Sequence, residues 1–253
     1  MSRWKAALIH LGISVLIAAV VAALLTFVWY PPPWLSADGG LRLLSLIVGV
    51  DVTLGPLVTL VVFRHGKPGL KFDLAVIGAI QSLALIYGLH TMLASRPVFL
   101  VAAVDQFRLV AANQLDPNDI AEAARPEWRH LSWTGPILVG TVLPKTHEQR
   151  EELLSSALKG KDIEKLPRYY VPYEQAATDL LARAHPLAKL RDMHPTRSTD
   201  ITQWVMHHQQ QEKNIVWLPV VARDADLTMM LDAHNGEPLG AINIDPWQSD
   251  PAD

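Results

Sequence analysis

Residues 43–63 read LLSLIVGVDVTLGPLVTLVVF, and this stretch decides the fold class. Its only Asp, Glu, Lys or Arg is Asp51, which lies near the middle of a run of apolar and small residues. A membrane-spanning helix needs about 20 predominantly apolar residues. The stretch therefore predicts a transmembrane helix that carries one carboxyl group.

Two further apolar stretches lie on either side of it. Residues 6–30 contain no Asp, Glu, Lys or Arg, and neither do residues 74–95. Three prolines at 31–33 end the first stretch, because proline lacks the amide that a helix needs and clashes with the preceding turn. The first stretch is also much longer than the apolar core of a secretory signal peptide, so we expect an uncleaved anchor. The chain thus predicts three membrane spans, at about 6–30, 43–63 and 74–95.

Basic residues indicate the orientation of these spans, because short loops rich in Lys and Arg stay in the cytoplasm. The N-terminus and the second loop carry Arg3, Lys5, Arg64, Lys67 and Lys71. The first loop carries only Arg42, together with Asp38. We therefore expect a cytoplasmic N-terminus and residues 97–253 outside, in the periplasm of a Gram-negative cell. An interfacial aromatic belt is predicted at Trp4, Trp29, Tyr30 and Trp34.

Charge divides the chain into a transmembrane domain, 1–96, and an outer domain, 97–253. The first holds 7 Lys/Arg and 3 Asp/Glu and the second 15 and 22, so the net charges are +4 and −7. An acidic outer domain without a basic stripe argues against nucleic acid as a partner. The apolar spans of the first domain predict contact with membrane lipid. The chain has no cysteine, which excludes thiolate metal sites and a cysteine nucleophile.

The outer domain mixes strand and helix patterns. Strands are predicted at 98–104, 107–111, 137–143, 215–222, 227–231 and 239–244, and helices at about 116–124, 146–158, 173–183 and 198–211. Tight turns are predicted at 105–106 and, from its Asn-Gly pair, at 235–236. Ser198 or Thr199 is expected to cap the last helix. This mixed order with short connections predicts an α+β domain.

Asp51 is the most informative single residue, because a carboxylate near the bilayer middle costs several kcal/mol unless it is paired, neutral or beside water. When depth in the membrane is counted at about 1.5 Å per residue along antiparallel spans, Gln81 and Tyr87 of the third span lie within reach of the Asp51 carboxyl group. Thr53 is close to Asp51 in sequence. One interpretation is a structural hydrogen bond inside the three-helix bundle. The other is contact with a polar group on another membrane helix, or proton handling.

Small residues and a proline share this span with Asp51. Gly49 and Gly55 allow helix backbones to approach closely, and Pro56 bends the helix. These residues indicate either ordinary packing within the protein or a face that docks a partner.

No motif of catalysis or cofactor binding is present. The ten histidines show no HExxH pattern, and the sequence contains no GxSxG, GxxxxGK[ST] or GxGxxG. We therefore expect a non-enzymatic protein without cofactor or metal, and interpret the histidines as surface or structural groups. A membrane-anchored periplasmic enzyme stays open as the alternative.

The segment after the third span is also informative. Arg96 and Pro97 join the last span to the first strand, and Asp105, Phe107 and Arg108 follow soon after. This pattern indicates a rigid, charged junction at the outer boundary of the membrane that fixes the orientation of the domain. The alternative is routine anchoring, in which the Arg96 side chain reaches the headgroups.

Several of these stretches together resemble the TfpX/TfpZ family of type IV pilin accessory proteins. They are Tyr30–Pro33, Ile47–Leu57, Tyr87–Leu89, Ala94–Phe99 and Asp105–Arg108, with an ending at Asp245–Trp247. The resemblance is strongest over residues 1–112, and the motif around Asp51 is its most specific element. Members often have Asp-Arg-Phe where this chain has Asp-Gln-Phe at 105–107, so a charge at 106 is missing here.

The resemblance implies an inner-membrane protein of Gram-negative bacteria that helps or modulates assembly of a type IV major pilin into pili. It implies no catalytic residue, and its partners are the pilin and the pilus assembly machinery. We expect the second span to contact the pilin helix and the outer domain to contact the pilin head. The candidate partner-binding residues are Asp51, Thr53, Gly55, Pro56, Arg96, Pro97, Asp105, Phe107 and Arg108. The alternatives are an enzyme that modifies pilin or envelope glycans, and a subunit of a small transporter or channel.

Overall fold

A computed structural model describes residues 2–250, and the chain divides into two compact units, Met1–Arg96 and Pro97–Asp253. The helices of the first unit are α1 (Arg3–Leu24, continued by a π-helical turn over Leu25–Trp29), the short α2 (Trp34–Ala37), α3 (Gly40–Val62) and α4 (Leu70–Ala94). Three of them, Arg3–Trp29, α3 and α4, are long and apolar enough to cross a membrane. The prediction of three helices of transmembrane length is confirmed.

Two glycines set where α3 and α4 begin. Gly39 and Gly69 precede these helices with φ of 75° and 81°, a left-handed conformation that glycine adopts at little cost. Both helices therefore start a few residues before the predicted spans. The spans were predicted too short because their apolar stretches exclude Arg42 and Lys71, which lie in the first helical turns.

One end of the helical unit packs around Tyr30. The buried core there consists of Val21, Leu25, Tyr30, Leu44 and Met92. The Tyr30 hydroxyl donates to the carbonyl oxygen of Met92 at 2.8 Å and lies 2.9 Å from Ser95 Oγ. Tyr30 is fully buried and its hydroxyl finds its partners at the end of α4, so its side chain belongs to the core of this unit, while the interfacial aromatic belt stays a prediction.

The second unit is an eight-stranded mixed sheet with helices, which confirms the predicted α+β class. Its strands are β1 (Pro97–Ala103), β2 (Gln106–Ala111), β3 (Ile137–Thr141), β4 (Tyr170–Val171), β5 (His185–Pro186), β6 (Ile215–Val221), β7 (Leu227–Asp232) and β8 (Pro238–Ile242). Its helices are α5 (Pro117–Ala121), α6 (His147–Leu158), α7 (Tyr173–Leu181), α8 (Leu187–Met193) and α9 (Ser198–His207).

The strands lie in the order β4-β3-β1-β2-β6-β7-β8. A hairpin of β1 and β2 forms the middle, and each of its strands has a parallel neighbour, β3 for β1 and β6 for β2. All other pairs are antiparallel. The β2–β6 contact is short, with Phe107 opposite Val220 and Arg108 opposite Val221, and β5 pairs with the first part of β6.

The structure corrects three local predictions. The turn between β1 and β2 falls at 104–105, one residue early, with Val104 at φ 60°. Helix α9 begins at Ser198 itself, so neither Ser198 nor Thr199 caps it, and the Ser198 hydroxyl accepts from Arg191 Nη1 at 2.8 Å. The β7–β8 connection is a longer loop, 233–237, because the Asp232 carboxylate accepts from backbone amides inside it.

The C-terminal segment folds back onto the turn around His194. The ring of His194 is buried, with Nδ1 3.1 Å from Asp250 Oδ1 and Nε2 2.7 Å from the carbonyl oxygen of Asp245. Asp250 Oδ2 accepts from the Thr196 amide at 3.0 Å. Hydrogen bonds from Thr196 and His194 lower the pKa of Asp250.

Because the pKa of Asp250 is lowered, the contacts that fix residues 245–250 are expected to depend on pH. A carboxyl group whose pKa falls on folding stabilises the fold above its unfolded pKa of about 3.9, and that contribution is lost as the pH falls through the folded value. At pH 7 we expect Asp250→Asn to speed amide hydrogen exchange in this segment several-fold, and the difference from wild type to shrink as the pH falls below the unfolded pKa of about 3.9 towards the lower folded pKa. Mass-spectrometric exchange at matched pH measures it, with Asp224→Asn as the exposed control; equal exchange at pH 7 would contradict it.

Candidate functional site

A carboxyl–amide pair lies in the middle of the helical unit. Asp51 is the central residue of the 23-residue α3. Gln81 on α4 donates through Nε2 to Asp51 Oδ1 at 2.8 Å and lies 3.4 Å from the Asp51 carbonyl oxygen. The predicted reach of Gln81 is confirmed, whereas the Tyr87 side chain is largely exposed further along α4.

On the same face of α3, Gly55 and Thr59 allow α1 and α4 to pack closely against α3. Asp51, Gly55 and Thr59 follow at four-residue spacing, which places them on one side of a helix. His10 Nδ1 on α1 lies 2.6 Å from Thr59 Oγ1. A Cβ atom at Gly55 would lie 2.1 Å from Gln81 Nε2 and 2.9 Å from His10 Nε2. Gly55 therefore serves packing within this protein, since any side chain there displaces both polar groups.

Beside this pair, α3 and α4 form an apolar groove of about 440 Å³. Its walls include Leu43, Leu46, Val50, Leu54 and Val58 from α3, and Ile77, Ile80, Ala84 and Gly88 from α4. Asp51 and Gln81 line it near its centre, with Tyr87 and Thr91 towards one end. The groove thus presents one polar pair in an otherwise aliphatic surface.

The four candidate residues of the second span do not share one surface. Asp51 and Gly55 line the groove, whereas Thr53 and Pro56 do not. Thr53 is exposed, and its hydroxyl donates to the carbonyl oxygen of Gly49 one turn earlier. Pro56 is buried among the helices. Asp51 is therefore the one predicted site residue that offers a polar atom to the groove.

Arg96 and Pro97 belong to different units. The Arg96 guanidinium donates through Nη1 to the carbonyl oxygen of Leu93 at 2.7 Å, which holds it against the end of α4. Pro97 is the first residue of β1 and lies opposite Ala111 in the sheet. Arg96 is thus held within the helical unit, and Pro97 is held within the sheet.

The three candidate residues of the β1–β2 hairpin lie in different environments. Asp105 lies exposed in the turn. Phe107 is fully buried and stacks on Tyr173 with ring centroids 6.1 Å apart, so its side chain belongs to the core. Arg108 points to the other side of the strand, with Nε 3.7 Å from Glu164 Oε1. Of the three, Asp105 and Arg108 remain accessible to a partner.

Thr59 and Gly88 also belong to this region, although neither is among the predicted site residues. Thr59 continues the four-residue spacing of Asp51 and Gly55, and that spacing was the available signal. Gly88 lines the groove, and a Cβ there would lie 2.8 Å from Ile47 Cδ1, so it sets how closely α3 and α4 approach. Gly88 entered the sequence analysis only as part of the Tyr87–Leu89 stretch of the family resemblance, because its packing role depends on the opposite helix.

Comparison with known proteins identifies relatives over nearly the whole chain. The family model described as fimbrial assembly protein FimB matches residues 1–39. The fimbrial assembly protein of serogroup I from Dichelobacter nodosus is 29% identical over 244 residues, which cover 95% of this chain and 94% of the relative. The serogroup E1 protein gives the same identity and coverage.

A shorter relative has a higher sequence identity over part of the chain. The fimbrial assembly protein of serogroups C1 and C2 from the same organism is 36% identical over 118 residues, which cover 46% of this chain and 89% of that relative. No solved structure matches. On these matches, the chain belongs to the FimB family of fimbrial assembly proteins.

Proposed function

We propose that this chain is a non-enzymatic accessory protein of the bacterial inner membrane that binds type IV pilin subunits and promotes or modulates their assembly into pili. The names of its relatives support a role in fimbrial assembly. The resemblance to the TfpX/TfpZ family supports the narrower role in type IV pili. The distribution of Lys and Arg supports a cytoplasmic N-terminus and a periplasmic outer domain.

The groove between α3 and α4 is the observation that carries the proposal. A pilin subunit holds one apolar helix in the inner membrane and a globular head outside. The aliphatic walls of the groove match such a helix in polarity, and the two helices that form it are each long enough to span the bilayer. In this proposal the pilin helix lies in the groove beside Asp51, and the outer domain contacts the pilin head and, with it, the assembly machinery.

Gene deletion tests the proposal in the organism that encodes the chain. We expect loss of sheared surface pilin, restored by the intact gene, when surface and total pilin are compared by immunoblot. A parallel fall in total pilin would identify stabilisation of the subunit, and unchanged total pilin would identify delivery or assembly. No change in either pool would overturn the proposal.

Complementation with Asp51→Asn tests the groove itself. The substitution exchanges the carboxyl group for an amide of the same shape, and a hydrogen bond contributes about 0.5–1.5 kcal/mol net. We therefore expect roughly a tenfold loss of pilin affinity and a clear fall in surface pilin, with normal amounts of the variant in the membrane fraction. Thr53→Val is the matched control, since Thr53 lies on the same helix outside the groove. Equal piliation by both variants would remove Asp51 from the mechanism.

A further inference from the structure

We propose that His194 is a pH-sensitive switch that fixes the C-terminal segment, residues 245–250, only while both of its ring nitrogens carry a proton. The inference is independent of the function proposed above, because it concerns contacts within the second unit alone. Two observations support it: the hydrogen-bond partners of the two ring nitrogens, and the burial of the ring.

The first ring nitrogen, Nε2, has to donate its hydrogen bond. It lies 2.7 Å from the carbonyl oxygen of Asp245. A backbone carbonyl oxygen accepts hydrogen bonds and cannot donate them. The contact between His194, which follows α8, and the beginning of the C-terminal segment therefore requires a proton on Nε2.

The second ring nitrogen, Nδ1, has to donate as well. It lies 3.1 Å from Asp250 Oδ1, and the other carboxylate oxygen, Oδ2, accepts from the amide and the hydroxyl of Thr196. Hydrogen bonds from Thr196 and His194 lower the pKa of Asp250, so its carboxyl group is an ionised acceptor near neutral pH. A histidine ring donates through both nitrogens only in its imidazolium form.

Loss of one proton from the ring therefore breaks one of the two contacts. A neutral imidazole has a single N–H, so its other nitrogen would turn a lone pair towards an acceptor oxygen. His194 is 5% exposed, which leaves little access for water to replace the lost partner, and a buried polar atom without a partner is destabilising. The C-terminal segment is thus fixed while the ring is an imidazolium and is released as the pH rises through its deprotonation.

The other charged side chains on the elements around the ring do not replace this pair. They are Arg191, Asp192, Arg197, Asp200, Asp226 and Asp245. Both arginines form ion pairs with carboxylates of their own. Asp226 and Asp245 accept hydrogen bonds from the C-terminal segment itself, and Asp192 is exposed. Among residues 2–250, Asp250 is the acid that pairs with the His194 ring.

Amide hydrogen exchange of the full-length chain in detergent tests the switch. Exchange is followed by mass spectrometry at about pH 5, 7 and 9, and each rate is compared with the intrinsic rate at the same pH to give a protection factor. Histidine side chains change charge between about pH 5 and 8, whereas Asp250, whose pKa is lowered, stays ionised throughout. We expect protection of residues 245–250 to fall about tenfold from pH 5 to pH 9. Protection of β7 should stay high, which distinguishes release of the segment from unfolding of the unit.

Substitutions identify the group that titrates. In His194→Gln the side chain carries no titrating proton, so protection of the segment should be low and equal at pH 5 and pH 9. His130→Gln, at an exposed histidine elsewhere in the unit, should retain the tenfold change. Asp250→Asn removes the negative partner of the imidazolium, so the midpoint of release should move to lower pH. This last variant keeps the test decisive if His194→Gln fails to fold.

Four outcomes would each overturn the inference. They are equal protection of the segment at pH 5 and pH 9 in the wild-type chain, a parallel loss of protection in β7, a change with pH that survives in His194→Gln, and a midpoint that Asp250→Asn leaves in place.

Discussion

Replacement of Trp217 by alanine is expected to lower the free energy of unfolding of the second unit, Pro97–Asp253, by about 3–5 kcal/mol. Trp217 lies in β6 and is 1% exposed within a core cluster that includes Leu190, Ile201 and Met230. Its indole N–H donates to the carbonyl oxygen of Pro186 at 3.1 Å. The substitution therefore creates a large cavity and also removes a side-chain hydrogen bond that adds to the backbone pairing of β5 with β6.

Urea-dependent pulse proteolysis of the full-length chain in detergent measures this loss as a shift in the unfolding midpoint. Trp247→Ala is the matched control, because Trp247 is 54% exposed and its indole donates only to Asp226 Oδ2. We expect that control to lose less than about 1.5 kcal/mol, the ordinary net contribution of one hydrogen bond. Equal shifts for the two tryptophan variants would contradict the assignment of Trp217 to the core.

Substitution of Gly140 by alanine is expected to destabilise the same domain by about 1–3 kcal/mol, the usual cost of overpacking. Gly140 lies in β3 beneath α7, and a Cβ atom there would lie 2.5 Å from the Ala176 Cβ. Neither atom moves without its backbone. Helix α7 would therefore have to shift away from the sheet, because no side-chain rotation relieves the contact.

A compensating substitution tests this explanation directly. In the double variant Gly140→Ala, Ala176→Gly, the methyl group changes sides and the contact between helix and strand is restored. We expect the double variant to recover most of the stability, less about 1 kcal/mol for glycine inside a helix. The same proteolysis assay compares the two. A double variant less stable than Gly140→Ala alone would show that steric contact with Ala176 is not the cause.

Local patterns predicted the helical unit well, because membrane spans depend on length and polarity. The reach of Gln81 to Asp51 also followed from depth counting, since antiparallel helices of known rise leave little choice. The burial of Tyr30 was not predicted, because a tyrosine beside prolines at a span end resembles an interfacial anchor. Its burial depends on Met92 and Ser95, which are more than 60 residues away in the chain.

The second unit shows where sequence patterns fail. Strands with several apolar residues were found within one to two residues of their true ends, whereas β4 and β5 have two residues each and carry no periodicity. The pairing of β2 with β6 has no local signal either, because it joins distant parts of the chain. Phe107 was assigned to a partner surface for the same reason: its burial depends on Tyr173 from another element.

The short parallel contact between β2 and β6 has a consequence for the order in which the domain forms. Strand β2 is synthesised early, but its neighbour β6 follows more than 100 residues later. Until β6 arrives, the outer edge of β2 is unpaired, and an unpaired edge is a template for another chain. Contacts of such separation slow folding. Newly synthesised chains are therefore expected to pass through a slow stage in which β2 needs protection from aggregation.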